Sequence, residues 1–234
     1  MLRRLVDAAL DALPAQCEVC HAWPARVLCE SCVRSFLRPR HRCRTCALPL
    51  PPGPTQCGAC LKQPPPLAGC IAAVSYEYPW SNCITRFKYG DDPGWGRPLA
   101  ALLSQLPAAR SALAAADWLL PMPLSMARLA QRGFNQALEL ARRLAPRKTR
   151  ADLLLRIRDT LPQSSLSREQ RQRNVKAAFM VAPQGLAATQ GRNLLLIDDV
   201  MTSGASIFAA ASALKQAGAA TVTALVFART DVPG

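Results

Sequence analysis

Four Cys-x-x-Cys pairs lie near the start of the chain and constrain its fold more than any other feature. A two-residue spacer lets a tight turn direct two thiolates at one tetrahedral ion, and two such turns complete a four-cysteine metal site. The pattern therefore predicts two structural zinc ions, with disulfides or an iron–sulfur cluster as alternatives. The eight cysteines are Cys17, Cys20, Cys29, Cys32, Cys43, Cys46, Cys57 and Cys60.

The order of the pairs along the chain leaves two ways to share the zinc ions. In the simpler, sequential pairing, the first four cysteines hold one ion and the last four hold the other. A cross-braced pairing also fits the spacing and remains open. So small a segment has too few apolar residues to fold without such a staple. We therefore predict a double zinc-ribbon module over residues 1–66, which ends at the stiff run Pro64, Pro65 and Pro66.

The N-terminal segment shows no pattern of export or membrane anchoring. Asp7 and Asp11 interrupt its apolar positions, so we predict a short amphipathic helix in place of a signal peptide. No stretch reaches the ~18 apolar residues that a transmembrane helix needs. We expect a cytoplasmic protein without membrane insertion. In that reducing compartment cysteines bind metal more often than they form disulfides.

The charge balance is strongly basic. Lys and Arg number 29 against 15 Asp and Glu, which gives a formal net charge of +14. Most of the cations are arginines, whose planar guanidinium binds phosphate through two hydrogen bonds, so the composition favours polyanionic partners. Five arginines between and around the second and third cysteine pairs form either a solvated face or a nucleic-acid contact. They are Arg34, Arg38, Arg40, Arg42 and Arg44.

After Leu67 the chain alternates between strand and helix patterns, which predicts a parallel α/β sheet with helices on both faces. We assign residues 67–234 to this second domain. The ligands of such sheets lie at the carboxyl ends of the strands. The predicted strands are 70–78, 117–123, 194–197 and 221–228, and the predicted helices are 80–88, 97–106, 125–145 and 206–218.

The string LLLIDDVMTSGASI lies at one such strand end. Asp198 and Asp199 leave the apolar strand, and a loop of small residues then turns into a helix. Backbone N–H groups at a helix N-terminus form a phosphate cradle, and the loop hydroxyls add donors. The two acids suit ribose hydroxyls or a hydrated Mg²⁺. Alternatively, they only end the strand and cap the helix. We call residues 202–206 the phosphate loop: Thr202, Ser203, Gly204, Ala205 and Ser206.

This string resembles the motif with which type I phosphoribosyltransferases bind 5-phosphoribosyl-1-pyrophosphate (PRPP). The resemblance implies that Asp198 and Asp199 hold the 2′ and 3′ hydroxyls of the ribose, while the phosphate loop holds the 5′-phosphate. Purine-salvage members carry an aspartate at the position of Thr202. A threonine is similar to the orotate and amido-transferring members, so proton transfer to a purine is not expected.

Three further segments resemble the ComF family, and with the cysteine pairs the resemblance covers nearly the whole chain. It rests above all on RGFNQ, on R-x-x-x-P-Q and on R-x-x-N-V. It implies a type I phosphoribosyltransferase-like fold behind a double zinc ribbon. It also implies a link with natural competence, with single-stranded DNA and proteins of the competence machinery as partners. The segments are ITRFKYGDD (84–92), PMPLSMARLAQRGFNQALELARRLA (121–145) and RIRDTLPQSSLSREQRQRNVKAAFMV (156–181).

Displacement of pyrophosphate from PRPP places negative charge on the leaving group, so cations and Mg²⁺ are expected beside it. The N–H of Met122, between two prolines, is predicted to contact it. Residues 158–176 are predicted to form a mobile hood, which acts as a pyrophosphate clamp or a track for a nucleic-acid backbone. The arginines here have a helix surface as the alternative. The candidates on this side are Lys88, Arg128, Arg132, Asn135, Gln136, Gln163 and Arg171.

Two functional hypotheses follow from these motifs. The first is an active or latent phosphoribosyltransferase that acts in a DNA-related pathway. The second is a non-catalytic protein whose fold senses PRPP or serves as a scaffold, while the zinc ribbons and arginines bind single-stranded DNA. Many relatives carry histidine at the position of Ser125, so no catalytic base is predicted there. The lack of a general base at both Thr202 and Ser125 favours the second hypothesis modestly.

Overall fold

The computed structural model describes residues 14–90, 92–157 and 178–231. The chain divides into two compact units, Met1–Pro39 and Arg40–Gly234, which are described separately. The predicted N-terminal helix and the predicted hood lie outside the described residues. The domain boundary between residues 66 and 67 stays a prediction.

The first unit is built around the first four cysteines. An antiparallel bridge joins Ala15 to Ala25, and the short helix α1 follows at Glu30–Phe36. Cys29 caps this helix, because its Sγ accepts a hydrogen bond from the backbone N–H of Cys32. The thiols are therefore held by a turn and a helix start rather than by an extensive apolar core.

The second unit contains the sheet and the remaining helices. Short 3₁₀ turns lie at Pro93–Trp95 and Pro183–Gly185. The strands are β1 Gly69–Ser75, β2 Trp118–Pro121, β3 Leu154–Arg156, β4 Phe179–Val181, β5 Asn193–Met201 and β6 Thr221–Arg229. The helices are α2 Gly58–Lys62, α3 Trp80–Tyr89, α4 Gly96–Gln105, α5 Pro107–Ala115, α6 Met126–Arg132, α7 Gln136–Leu144, α8 Leu186–Thr189 and α9 Ala205–Gln216.

Four parallel strands form the main sheet in the order β1-β6-β5-β2, and β3 pairs with β4 in a separate antiparallel hairpin. Side chains alternate between the two faces of a strand. On one face, Val226 belongs to the core cluster that contains Ile207 of α9. On the other, the ring of Phe227 lies 5.7 Å from that of Trp80 in α3. Helices thus cover both faces, and the predicted parallel α/β fold is confirmed.

The structure corrects two predicted elements. The single helix predicted over 125–145 is two helices, because Gly133 adopts a left-handed backbone (φ +71°) and ends α6. The strand predicted to end at Ile197 continues to Met201, since its ladder with β6 extends as far as the pair Met201 and Arg229. The two acids of the motif therefore lie within β5 and not beyond it.

Candidate functional site: a small-residue loop and two cysteine clusters

The phosphate loop connects the end of β5 to the twelve-residue helix α9. Gly204 precedes the helix with φ +82°, and a Cβ placed there would overlap Met201 and lie 2.7 Å from Cζ of Phe208. A larger residue would require the ends of the Met201 and Phe208 side chains to move. Ser203 Oγ accepts a weak hydrogen bond from the N–H of Ala205 at 3.4 Å. The loop thus brings backbone N–H groups of a helix start to the carboxyl end of a central strand, as predicted.

The adjacent acids point to opposite faces of β5, because consecutive side chains in a strand alternate. Asp199 is buried on the face of α3, where the Nζ atom of Lys88 lies 3.2 Å from its Oδ2 atom. This contact is an ion pair without hydrogen-bond geometry, and Oδ2 accepts no hydrogen bond from the described residues. Lys88, predicted by family resemblance, therefore neutralises one of the two acids.

Asp198 is partly buried, and its Oδ1 accepts a hydrogen bond from the N–H of Asp199 at 2.9 Å. Burial, together with the negative charge of Asp199, raises the pKa of Asp198 to about 7, and the cations of Lys88 and Arg132 oppose this rise only in part. The carboxyl group is therefore poised between its neutral and charged forms near neutral pH. Such a group can donate to or accept from a ligand hydroxyl.

The elbow between α6 and α7 brings the other predicted residues to the same region. Arg132 donates to Gln136 Oε1 at 3.1 Å, contacts the hydroxyl of Tyr89 at 3.5 Å and lies over that ring. Its Nε atom is buried and has no hydrogen-bond partner among the described residues. Gln136 in turn donates to the carbonyl of Phe87, next to Lys88. Arg132 and Lys88 are thus held on one framework, with donor capacity left on Arg132.

The candidates Asn135 and Arg128 and the nearby Ser125 show no side chain directed to a ligand by a described contact. Asn135 caps α7 through its side-chain oxygen and donates to the carbonyl of Met122 at 3.1 Å. The Oγ atom of Ser125 caps α6 by accepting from the N–H of Arg128. The side chain of Arg128 is exposed and has no partner in the part of the chain that the structure describes. Gln163 and Arg171 lie outside the described residues.

One predicted contact is wrong. The N–H of Met122 donates to the carbonyl of Ile197 at 2.9 Å, so it extends the pairing of β2 with β5. A donor already used by the sheet is not available to pyrophosphate. The proline on each side indicated a special loop, but only the register of the neighbouring strand decides which backbone groups are free.

The eight cysteines form two clusters, each with its four sulfur atoms within 4.8 Å of one another. Their membership confirms the sequential pairing. The first cysteine cluster is partly exposed, whereas the second is buried throughout. The first cysteine cluster consists of Cys17, Cys20, Cys29 and Cys32, and the second of Cys43, Cys46, Cys57 and Cys60.

The geometry of both clusters fits a tetrahedral thiolate site. Zn–S bonds of about 2.3 Å in a tetrahedron place the sulfurs about 3.8 Å apart. The Sγ atoms of Cys20 and Cys29 are 3.7 Å apart, as are those of Cys46 and Cys57. In the second cluster, the N–H of Cys57 also donates to the sulfur of Cys43 at 3.4 Å. The four donors of each cluster therefore lie close enough together to share one ion of the size of Zn²⁺.

The electrostatics of the clusters also favour a bound cation. Burial by itself raises the pKa of the Cys43 thiol. Hydrogen bonds from backbone N–H groups, above all that of Cys57, have a larger opposite effect and bring the pKa down to about 6. Burial raises the pKa of Cys46 to about 11, and the charge of Cys43 adds to this rise. One thiolate thus forms readily and then repels a second. Four thiolates together need a metal ion of opposite charge.

Three of the five arginines near the cysteine pairs, Arg40, Arg42 and Arg44, have acceptors inside the second unit. Arg42 donates to the carbonyl of Ala47 and to the hydroxyl of Ser75. Arg40 pairs with Glu77 and also donates to Ser75. These side chains are therefore not free to follow a nucleic-acid backbone. In the first unit, the partners described for Arg34 and Arg38 are local and exposed: Glu30 and the carbonyl of Ser35. Arg44 bonds to Gln56.

Arg229 is a structural residue that the sequence motifs did not indicate. It ends β6, is 3% exposed and donates to the carbonyls of Cys46 and Met201. Its only signal in the sequence is a charged residue at the end of the apolar run TVTALVFAR. A buried arginine is rare, because its charge must be compensated by hydrogen bonds or an opposite charge.

Comparison with known proteins identifies relatives of this chain. DNA utilization protein YhgH of Salmonella typhimurium is 33% identical over 209 residues, which cover 87% of this chain and 90% of that protein. YhgH of Escherichia coli K12 is 31% identical over the same shares of the two chains. Competence protein F of Haemophilus influenzae is 31% identical over 204 residues, or 82% of this chain and 85% of that one. No protein-family profile matches the chain.

The fold and its sites define a class: parallel α/β proteins with a small-residue loop at the carboxyl end of a central strand and with two four-cysteine clusters. Within this class, the chain belongs to the ComF family, together with YhgH and competence protein F. A solved structure described as the allosteric regulatory enzyme of purine biosynthesis aligns with 62% of this chain and 30% of its own, at 15% identity and a TM-score of 0.39. No helix in the described ranges is long and apolar enough to cross a membrane.

Proposed function

We propose that this protein binds PRPP at the carboxyl end of its sheet, as a phosphoribosyltransferase-like protein that takes part in the use of incoming DNA. One observation carries the proposal. Four separate elements contribute side chains or backbone groups near one end of β5. They supply the phosphate loop, the acids Asp198 and Asp199, and the cations Lys88 and Arg132. A ligand with a phosphate, a diol and a second anionic group matches that set.

Each part of PRPP has a counterpart with suitable chemistry. The 5′-phosphate would accept hydrogen bonds from the loop N–H groups, where the helix dipole also favours negative charge. The ribose hydroxyls would bond to the acids, and Asp198 suits this role because it can hold or release a proton near pH 7. The pyrophosphate, with its Mg²⁺, would face Arg132, whose buried Nε has no partner among the described residues.

The role in DNA use is supported by the relatives. Two of them carry the words DNA utilization and competence in their names. The zinc clusters, four thiolates each, leave no open position for a substrate and are therefore structural in this proposal.

Calorimetry with PRPP and Mg²⁺ tests the binding proposal. Hydrogen bonds to charged groups contribute about 1.5–3 kcal/mol each, so Asp198→Asn/Asp199→Asn is expected to weaken binding by at least about 100-fold. Asp152→Asn is the control, since this exposed acid pairs with Arg150 away from the loop. A folded, zinc-loaded wild-type protein that does not bind PRPP would rule the proposal out.

A second candidate is a non-catalytic protein that binds single-stranded DNA through the first unit. Its support is Trp23, which is 64% exposed in a unit that also carries the exposed residues Arg26, Arg34 and Arg38. Bases stack on such aromatic rings, with about 1–3 kcal/mol per base, while arginines contact the backbone. Trp23→Ala is then expected to weaken binding of a thymidine oligonucleotide about tenfold or more. Binding that is absent, or equal in both proteins, contradicts this candidate.

A further inference from the structure

Arg229 contacts both the phosphate loop and the second cysteine cluster. It is the last residue of β6, and its side chain is 3% exposed. The guanidinium remains charged at any physiological pH. All the hydrogen-bond partners described for it are neutral oxygens, four backbone carbonyls and one hydroxyl. A buried cation without a carboxylate partner is costly, so its position requires an explanation.

One side of the guanidinium group forms hydrogen bonds with the backbone at the start of the phosphate loop. Its NH1 atom donates to the carbonyls of Met201, at 3.2 Å, and of Thr202. In a trans peptide the C=O of one residue and the N–H of the next point in opposite directions. The N–H groups of Thr202 and Ser203 are therefore turned away from Arg229. Neither donates to another residue in the described ranges, so both are free for a ligand.

The other side of the guanidinium holds the second cysteine cluster. Its Nε atom donates to the carbonyl of Cys46 at 2.9 Å. That cluster is buried in the same apolar core as Ile207 and Ala210 of α9, the helix that follows the phosphate loop. Four thiolates and one Zn²⁺ carry a net charge of −2. In a medium of low dielectric constant, this charge is the natural counter-ion of Arg229.

We propose that Arg229 is a positioning residue that couples the second cysteine cluster to the phosphate loop, so that metal loading of the cluster sets the affinity of the loop for a phosphate group. The proposal rests on the proposed function, because it assumes that the loop binds the 5′-phosphate of PRPP. It goes beyond that function by assigning the second metal site a control over ligand binding in addition to its structural role.

The coupling follows from the geometry in three steps. Without the metal, the turn that carries Cys46 loses its anchor, and the guanidinium loses both a fixed carbonyl and its counter-charge. Arg229 then no longer holds the carbonyls of Met201 and Thr202 in one orientation. The free N–H groups of Thr202 and Ser203 consequently sample several directions, and the cradle is no longer preorganised for an anion.

The first test measures the order of the loop without any ligand. Amide order parameters from NMR are about 0.85 for rigid backbone and below 0.6 for flexible backbone. For Thr202 and Ser203 we expect a rigid value in the zinc-loaded wild type. We expect a flexible value in Arg229→Lys, which keeps the charge but loses the fork, and in wild-type protein reconstituted without zinc. Rigid amides in both of these samples would overturn the proposal.

The second test separates the two ends of the ligand. Relative to wild type, Arg229→Lys is expected to bind ribose 5-phosphate and PRPP about tenfold more weakly. Binding of inorganic pyrophosphate is expected to change less than twofold, since Arg132 and Lys88 are unaffected. Arg110→Lys, the same change at an exposed position on α5, is the control. An equal loss for all three ligands would indicate general damage and contradict the coupling.

Failure of the coupling and failure of the proposed function give different results. A wild-type protein that binds none of the three ligands ends the proposed function, while the order parameters still decide whether Arg229 links metal to loop. A protein that binds PRPP equally well in wild type and Arg229→Lys keeps the proposed function and ends the coupling. If Arg229→Lys does not fold, titration of zinc into wild-type protein with the same NMR readout decides the question.

Discussion

Replacement of Gly204 by alanine tests how closely the phosphate loop is packed. Gly204 combines a left-handed backbone, φ +82°, with close neighbours: a Cβ would lie 2.7 and 2.8 Å from Cζ and Cε2 of Phe208, so the ends of the Phe208 and Met201 side chains would have to shift. A left-handed non-glycine residue costs about 1–2 kcal/mol. Forced overpacking adds about 1–3 kcal/mol. The substitution is therefore expected to lower the free energy of unfolding by about 2–5 kcal/mol.

Gly133 provides the matched control. It also has a left-handed backbone, φ +71°, but a Cβ there meets nothing within 4 Å. Gly133→Ala should then cost only the backbone part, about 1–2 kcal/mol. Urea unfolding of the two zinc-loaded variants, followed by circular dichroism, gives both values from the midpoints and slopes. A Gly204→Ala variant no less stable than Gly133→Ala would refute the idea that the loop is closed against Met201 and Phe208.

Three further predictions concern the acids and the metal. The pKa of Asp198 is raised from 3.8 to about 7, so ionisation of this carboxyl group destabilises the folded state increasingly between these two pH values. Asp198→Asn should therefore gain thermal stability over wild type as the pH rises from 5.5 to 7, with no further gain above about 7. A difference in stability that does not depend on pH would contradict this. Lys88→Met should lower the free energy of unfolding by about 2–3 kcal/mol, because it leaves Asp199 unpaired. This loss is somewhat smaller than for a fully buried pair, since Lys88 is 18% exposed. The double variant Lys88→Met/Asp199→Asn should recover most of the loss in a double-mutant cycle. Native mass spectrometry should detect two zinc ions per chain, and a chelator should remove the ion of the partly exposed first cluster before that of the buried second cluster; simultaneous loss would argue against this order.

The general layout was predictable because it depends on local patterns. The spacing of the cysteines restricts which thiols can share an ion, and the sequential clusters are those of the simplest pairing. The change from apolar strand to small-residue loop to helix indicated the end of β5 and the start of α9 within a few residues. Such features depend on turns and on hydrogen bonds between residues that are close in the sequence.

The split between α6 and α7 shows where local patterns fail. Apolar positions keep helical spacing across residues 125–145, and Gly133 alone is a weak signal of a break. The elbow forms because Asn135 binds the carbonyl of Met122 and Gln136 binds that of Phe87, both far away in sequence. The same long-range pairing uses the N–H of Met122 and removes it from the candidate site.

The sequence by itself therefore determined which local features this protein has: clusters of cysteine thiols, a small-residue loop at a helix start and two acids beside it. Only the tertiary structure decided which charges are compensated and which donors are free. Asp199 is matched by Lys88 across the sheet face, and Asp198 is left with a raised pKa. Arg229 reaches the carbonyls of Cys46 and Thr202, residues more than twenty positions away along the chain. Charge compensation and hydrogen bonding depend on distances in space, and those distances arise only when β5, β6 and the second cysteine cluster pack together.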